Sequence, residues 1–121
     1  MSWIENARAG VVSPRLERVA AAEGVAPEVL NAGLADGTLV VPWAEGVELE
    51  RPCAVGTGLR VKVNANLGTS PDASGLEEEL VKLRAAVEAG ADAAMDLSTG
   101  GDLRAVRRAI REACPVSLGS V

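Results

Sequence analysis

From Leu59 to its end the sequence alternates short β-type runs with single amphipathic helices, and no other feature restricts the possible folds as much. Val61-Lys62-Val63 has the make-up of a short strand. Leu76, Leu80, Leu83 and Val87 then recur at helical spacing, and Gly90 stands where a helix turns off in the left-handed conformation. Ala93 to Leu97 reads as a second strand. Asp102 is placed to cap a helix whose apolar stripe is Leu103, Val106 and Ile110, and Pro115 ends it before a third apolar run, Val116 to Leu118. The order βαβαβ demands parallel pairing with crossover helices, which both α/β barrels and doubly wound sheets provide. A parallel sheet is normally covered on both faces, and three strands complete neither architecture. A chain that stops after its third strand leaves an exposed edge, so we expect the natural protein to continue.

The first half reads differently. Ser13-Pro14 is an N-cap followed by proline at the first helical position, and Gly24 stops the helix that starts there, with Leu16, Val19 and Ala20 on its apolar side. A second short helix is expected from about Pro27 to just before Asp36-Gly37, followed by a β-rich stretch, Thr38 to Val41, that Pro42 ends. Gly46, Pro52, Gly56 and Gly58 keep the segment from Trp43 to Leu59 irregular. The resulting division is residues 1–59, helical and irregular, and residues 60–121, the βαβαβ part.

Composition excludes several functions. With 17 acidic against 12 basic residues the formal charge is −5, and no basic stripe is present to follow a phosphate backbone, so nucleic acid is not an expected partner. No run approaches the roughly 18 apolar residues of a membrane span, and the start lacks the cationic and apolar regions of a secretion signal, which fits a cytoplasmic setting. Histidine is absent, and Cys53 and Cys114 stand alone without metal-ligand spacing. Both cysteines read as reduced and structural.

In parallel α/β architectures ligands meet the carboxyl ends of the strands. The first exit reads N-A-N-L-G-T-S from Asn64 to Ser70. With period two, Lys62, Asn64 and Asn66 share one side and Val61, Val63 and Ala65 the other. If the apolar side meets the helices, the amides face the barrel mouth and offer donors and acceptors to a small polar ligand; alternatively the two Asn residues close a turn through Asx-type bonds. The second exit, M-D-L-S-T-G-G-D, holds backbone N–H groups suited to a phosphate, but Asp102 at the helix start repels an anion and is itself an N-cap. Met95 there reads either as a soft contact to a ligand ring or as packing. The Glu77-Glu78-Glu79 run complements a helix dipole and asks for no further role.

Long words at these exits resemble the phosphomethylpyrimidine synthase family, radical S-adenosylmethionine enzymes of thiamine biosynthesis. They are LRVKVNANLGTS at 59–70, GADAAMDLSTGGDL at 90–103 and the terminal ACPVSLGSV; ENARAG, SPRLERVAAAEGV and VVP in the first half are similar as well. The resemblance implies an α/β fold in which an N-terminal helical and irregular segment precedes the first three strands and two helices of an incomplete (β/α)8 barrel. It implies a lyase that converts aminoimidazole ribotide to 4-amino-5-hydroxymethyl-2-methylpyrimidine phosphate, homodimeric in its full-length form. Asn66 and Met95 match the family's first two substrate-contact positions. The full-length family uses a [4Fe-4S] cluster, S-adenosylmethionine and zinc, whose histidine and three-cysteine ligands match no residue of this chain. Catalytic and metal-binding residues are therefore expected to be absent from this segment, which should be inactive alone. The related 5-hydroxybenzimidazole synthase of the cobamide lower-ligand pathway shares the same words, and a stand-alone, non-enzymatic metabolite-binding or assembly module is a further alternative.

Overall fold

A computed structural model of the 121-residue chain describes residues 2–73 and 75–121. These form two compact units, one of residues up to 47 together with 52–61, the other of 48–51 and 62–121.

The first unit holds three helices and a two-stranded antiparallel ladder. Helix α1 (Trp3–Arg8) begins in a capping box, with the Ser2 hydroxyl accepting from Glu5 N and the Glu5 carboxylate accepting from Ser2 N. Helices α2 (Pro14–Glu23) and α3 (Pro27–Asp36) each start on a proline and close on a left-handed glycine, Gly24 and Gly37, as the sequence signals indicate. Leu16, Val19, Leu30 and Leu34 are fully or nearly buried and form the centre of this unit. Strand β1 (Leu39–Val40) pairs with β2 (Val55–Gly56), a short strand inside the stretch expected to be irregular. Its two residues carry no periodic pattern, so only the pairing reveals it. The two tryptophans supply the aromatic part of this core: Trp43 lies 6.4 Å from Trp3, with the Arg15 guanidinium 4.2 Å above its ring.

The second unit is the parallel βαβαβ arrangement. Strands β3 (Asn64–Leu67), β4 (Ala93–Asp96) and β5 (Ser117–Ser120) lie in the order β3-β4-β5, joined by α4 (Leu76–Glu88) and α5 (Leu103–Ala113). One core cluster unites Leu67 and Ala94 from the sheet with Leu83, Val106 and Ile110 from the helices, and Leu76, Leu80 and Val87 pack against it. Of the expected helical stripes Leu83, Val106 and Ile110 are buried, Leu76, Leu80 and Val87 are partly buried against them, and Leu103 is half-buried outside the cluster. Arg51 reaches the C-terminal end of α4 and donates to Val87 O and Ala91 O at 3.1 and 2.7 Å, where a cation complements the helix dipole.

The first strand of this sheet differs from its expected place. Val61-Lys62-Val63 precedes the strand, which starts at Asn64, and Val61 and Val63 are 86% and 60% exposed rather than facing a core. Val63 still meets the sheet edge, since its N–H donates to the Asp92 carboxylate and its carbonyl accepts from Asp92 N and Ala93 N. Helical cover begins only beyond that point, so the β-branched residues that advertise a strand lie outside the buried register. The last strand is likewise later than its apolar run, at Ser117–Ser120 instead of Val116–Leu118. Among the described residues no helix is long and apolar enough to cross a membrane.

Candidate functional site

The parallel register fixes which exit residues stand side by side. Asn66 is the Cα partner of Met95, and Met95 of Gly119; one step on, Leu67, Asp96 and Ser120 form the next row. Because side chains alternate along each strand, Asn64, Asn66, Ala93, Met95, Ser117 and Gly119 share one face of the sheet. The other face, with Leu67 and Ala94, is the one the helices cover.

Asn66 is exposed on the face opposite the helices, and its Oδ1 accepts from Asn64 Nδ2 at 2.8 Å. The two amides therefore bond each other within the strand; the bond that an Asx turn requires, from side chain to turn backbone, is not the one they make. This arrangement orients Asn66 and leaves its NH2 directed away from Asn64, available as a donor. Met95 beside it is half-buried and covers Gly119, whose missing side chain makes room for the thioether. An amide donor and a polarizable apolar surface thus sit in adjacent places on one row, a combination that suits a flat, polar ring.

Directly beyond this row the exits of β3 and β4 are joined. The ladder continues past both strands through Leu97 N to Leu67 O at 2.7 Å and Thr99 N to Thr69 O at 2.8 Å. Side chains close the gaps: Thr69 N donates to Ser98 Oγ at 3.0 Å and the Thr69 hydroxyl to Gly100 O at 2.7 Å. Two glycines permit this closeness. A Cβ on Gly68 would come within 2.6 Å of the Leu97–Ser98 backbone, and one on Gly100 within 2.5 Å of Ser70.

The second exit is capped by its own helix. Asp102 Oδ1 accepts from Arg104 N and Ala105 N at 3.1 and 3.2 Å, so N–H groups that would receive an anion are occupied by a carboxylate. The capping alternative for Asp102 is the one the geometry carries.

Two buried carboxylates were not apparent from the sequence as parts of this region. Glu79 is completely buried; besides standing in the first turn of α4, it reaches back to Gly68 N at 2.7 Å and pairs with Lys82 Nζ at 2.7 Å. Asp96, 1% exposed, accepts from Ser98 N at 2.9 Å and from the Ser98 hydroxyl at 2.5 Å. The signal for both was a charge at an apolar position: Glu79 stands three residues after Leu76 and four before Leu83, and Asp96 shares the parity of Ala94. Buried carboxyl groups need partners, and here these are exit backbone N–H groups together with Lys82 and the Ser98 hydroxyl.

Among the described residues no group of three or more His, Cys, Asp or Glu is placed to hold a metal ion. Cys53 and Cys114 are buried free thiols, and burial raises the Cys114 pKa while its S–H donates to Val116 O at 3.3 Å. With two cysteines, no histidine and no cluster of ligating side chains among the described residues, the residues present do not fit an iron–sulfur cluster or zinc.

Comparison of the sequence with known proteins places the chain in a family. Phosphomethylpyrimidine synthase of Thermotoga petrophila is 53% identical over 121 residues, which is 100% of this chain and 28% of the relative. The enzyme of the same name from Desulforudis audaxviator is 52% identical over 112 residues, 93% of this chain and 26% of the relative. The 5-hydroxybenzimidazole synthase BzaB of Moorella thermoacetica is 46% identical over all 121 residues, again 28% of its length. The chain thus spans little more than a quarter of the relatives it matches. The match to the Radical SAM ThiC family runs from residue 2 to residue 121, so the chain belongs to that family.

Proposed function

We propose that this chain is the N-terminal part of a phosphomethylpyrimidine synthase, and that it contributes part of the substrate-binding rim for aminoimidazole ribotide. In this reading residues 60–121 are the opening βαβαβ portion of a (β/α)8 barrel, preceded by a separate helical and irregular domain, residues 1–59. Asn66 donates to the ribotide and Met95 lies against its ring. The observation that carries the reading is the shared row: Asn66 and Met95 are Cα partners at the carboxyl end of parallel strands, on the face without helices. The [4Fe-4S] cluster, S-adenosylmethionine and zinc belong to residues outside this sequence, and the 121 residues alone do not turn over. The whole enzyme is a cytoplasmic homodimer that rearranges the ribotide to the hydroxymethylpyrimidine phosphate.

The test uses the full-length enzyme. Asn66→Ala should weaken ribotide binding by about 1–3 kcal/mol, the scale of an unpaired buried polar group. Unchanged affinity, measured calorimetrically on folded protein, returns Asn66 to a purely structural place. A second reading is favoured by the 46% identity to BzaB over the full chain, namely the start of a 5-hydroxybenzimidazole synthase acting on the same ribotide. Mass spectrometry of the product after anaerobic turnover separates the two, since only one yields a phosphorylated pyrimidine.

A further inference from the structure

Asp96 has a carboxylate that is only partly used. Its Oδ1 takes both bonds from Ser98, whereas Oδ2 is buried and has no hydrogen-bond partner among the described residues. Leaving an acceptor unsatisfied in the interior is unfavourable, so a side chain chosen only for stability would be apolar here. What the carboxylate accomplishes is local and directional. Held by Asp96, the Ser98 hydroxyl donates its single proton to the carboxylate, and its lone pair is thereby turned to receive Thr69 N. From helix α4 the Glu79 carboxylate accepts from Gly68 N, the peptide next to Thr69. Three consecutive β3 exit positions, Leu67 through Thr69, are thus each bonded by a named group, beginning one residue after Asn66.

We propose that Asp96, through Ser98, ties the β4 exit to the β3 exit, while Glu79 fastens the β3 exit to α4, and that both act as positioning residues that fix Asn66 relative to Met95. The proposal rests on the reading of Asn66 as a ribotide contact. Neither carboxylate faces the ligand side of the sheet: Asp96 has the parity of the helix-covered row, and Glu79 reaches in from α4. Their effect on binding passes through backbone and a hydroxyl, and what Asp96 contributes is an acceptor rather than a negative charge.

The experiment is ribotide titration calorimetry on the full-length, cluster-free enzyme and its Asn66→Ala, Ser98→Ala, Asp96→Asn and doubly substituted Asn66→Ala/Ser98→Ala forms. Ser98→Ala deletes one hydroxyl and leaves the fold's apolar core untouched, so it carries the test where Asp96→Ala would remove a fully buried side chain. Ser98→Ala should weaken ribotide binding about tenfold, and Asp96→Asn, which keeps Oδ1 as acceptor, should stay within about threefold of the unsubstituted enzyme. The double substitution should lose clearly less than the product of the single losses, because a misplaced Asn66 has less to lose. A purely structural Ser98 would instead give losses that multiply, and that result overturns the proposal, as does a Ser98→Ala enzyme that binds normally while Asn66→Ala is impaired. A charge requirement, seen as Asp96→Asn binding as poorly as Ser98→Ala, also overturns it. Normal binding by Asn66→Ala itself strikes the underlying contact reading, and is told apart because the first single variant then already shows no effect.

Discussion

Met95 occupies the space that a side chain on Gly119 would need: a Cβ at position 119 would stand 2.8 Å from Met95 Cε and 3.0 Å from its sulfur. The two are Cα partners on adjacent parallel strands, so the conflict cannot be avoided by a change of register. The obstructing atoms are the far end of a flexible side chain, and the thioether can swing away. Gly119→Ala should therefore destabilise by only about 1 kcal/mol while displacing Met95. Combined with Met95→Ala, the two effects should fall short of additivity by several tenths of a kcal/mol, as neighbours in contact do. Urea unfolding of the four forms measures this, and strict additivity would contradict the contact.

Gly68 presents the opposite case. There a Cβ meets the Leu97–Ser98 backbone at 2.6 Å, and backbone has no rotamer to change. Gly68→Ala should cost roughly 3 kcal/mol, at the upper end of overpacking effects, and the same substitution at Gly100 should behave alike because Ser70 and Pro71 backbone stand in its way. Denaturation midpoints for both, beside Gly75→Ala, for which nothing lies within 4 Å, provide the comparison. Equal stability for all three would show that the exits can separate.

Asp102→Ala removes an acceptor for two N–H groups at the start of α5. We expect a loss of about 1 kcal/mol, with Asp102→Asn or Asp102→Ser recovering most of it, as cap preferences dictate. The readout is the unfolding midpoint. A recovery by Asp102→Glu but by neither short polar residue would point to charge rather than capping.

Acid should loosen α1 selectively. Hydrogen bonds from Ser2 N and the Ser2 hydroxyl hold the Glu5 carboxyl below its ordinary value. A lowered folded value means that the contribution is complete above the pKa of the unfolded chain and disappears as pH falls through the lowered one. Trp3, the first helical residue, reports on it: its fluorescence should change in that acid window, and Glu5→Gln should flatten the change. An identical acid profile for Glu5→Gln would remove Glu5 as the cause.

The helices were more legible than the strands because their signals are strong and local. Ser13-Pro14, Gly24, Asp102 and the Leu76-Leu80-Leu83-Val87 stripe each state a boundary or a face through short-range chemistry, and each is found where it was expected. The strands begin where pairing and helical cover begin, which is long-range information. Val61 and Val63 look like strand residues and lie before the strand, while Asn64 and Asn66, poor strand formers, lie within it. At the exits, sequence pattern picked out the polar residues of the uncovered face, and the family resemblance singled out Asn66 and Met95 from among them. The supporting carboxylates were obscured for a physical reason. Glu79 sits in a run of three glutamates, of which the other two face water, and only the fold distinguishes the one that turns inward.

The close approach of Gly68 and Gly100 to the neighbouring loop has a consequence for how this region can change over evolutionary time. Two loops joined main chain to main chain cannot be lengthened, shortened or re-routed one at a time, since any insertion in one would have to be matched at once in the other. Variation at this corner is therefore left to side-chain identity on the row of Asn66, Met95 and Gly119, a narrow channel compared with the loop grafting by which many parallel α/β proteins diversify.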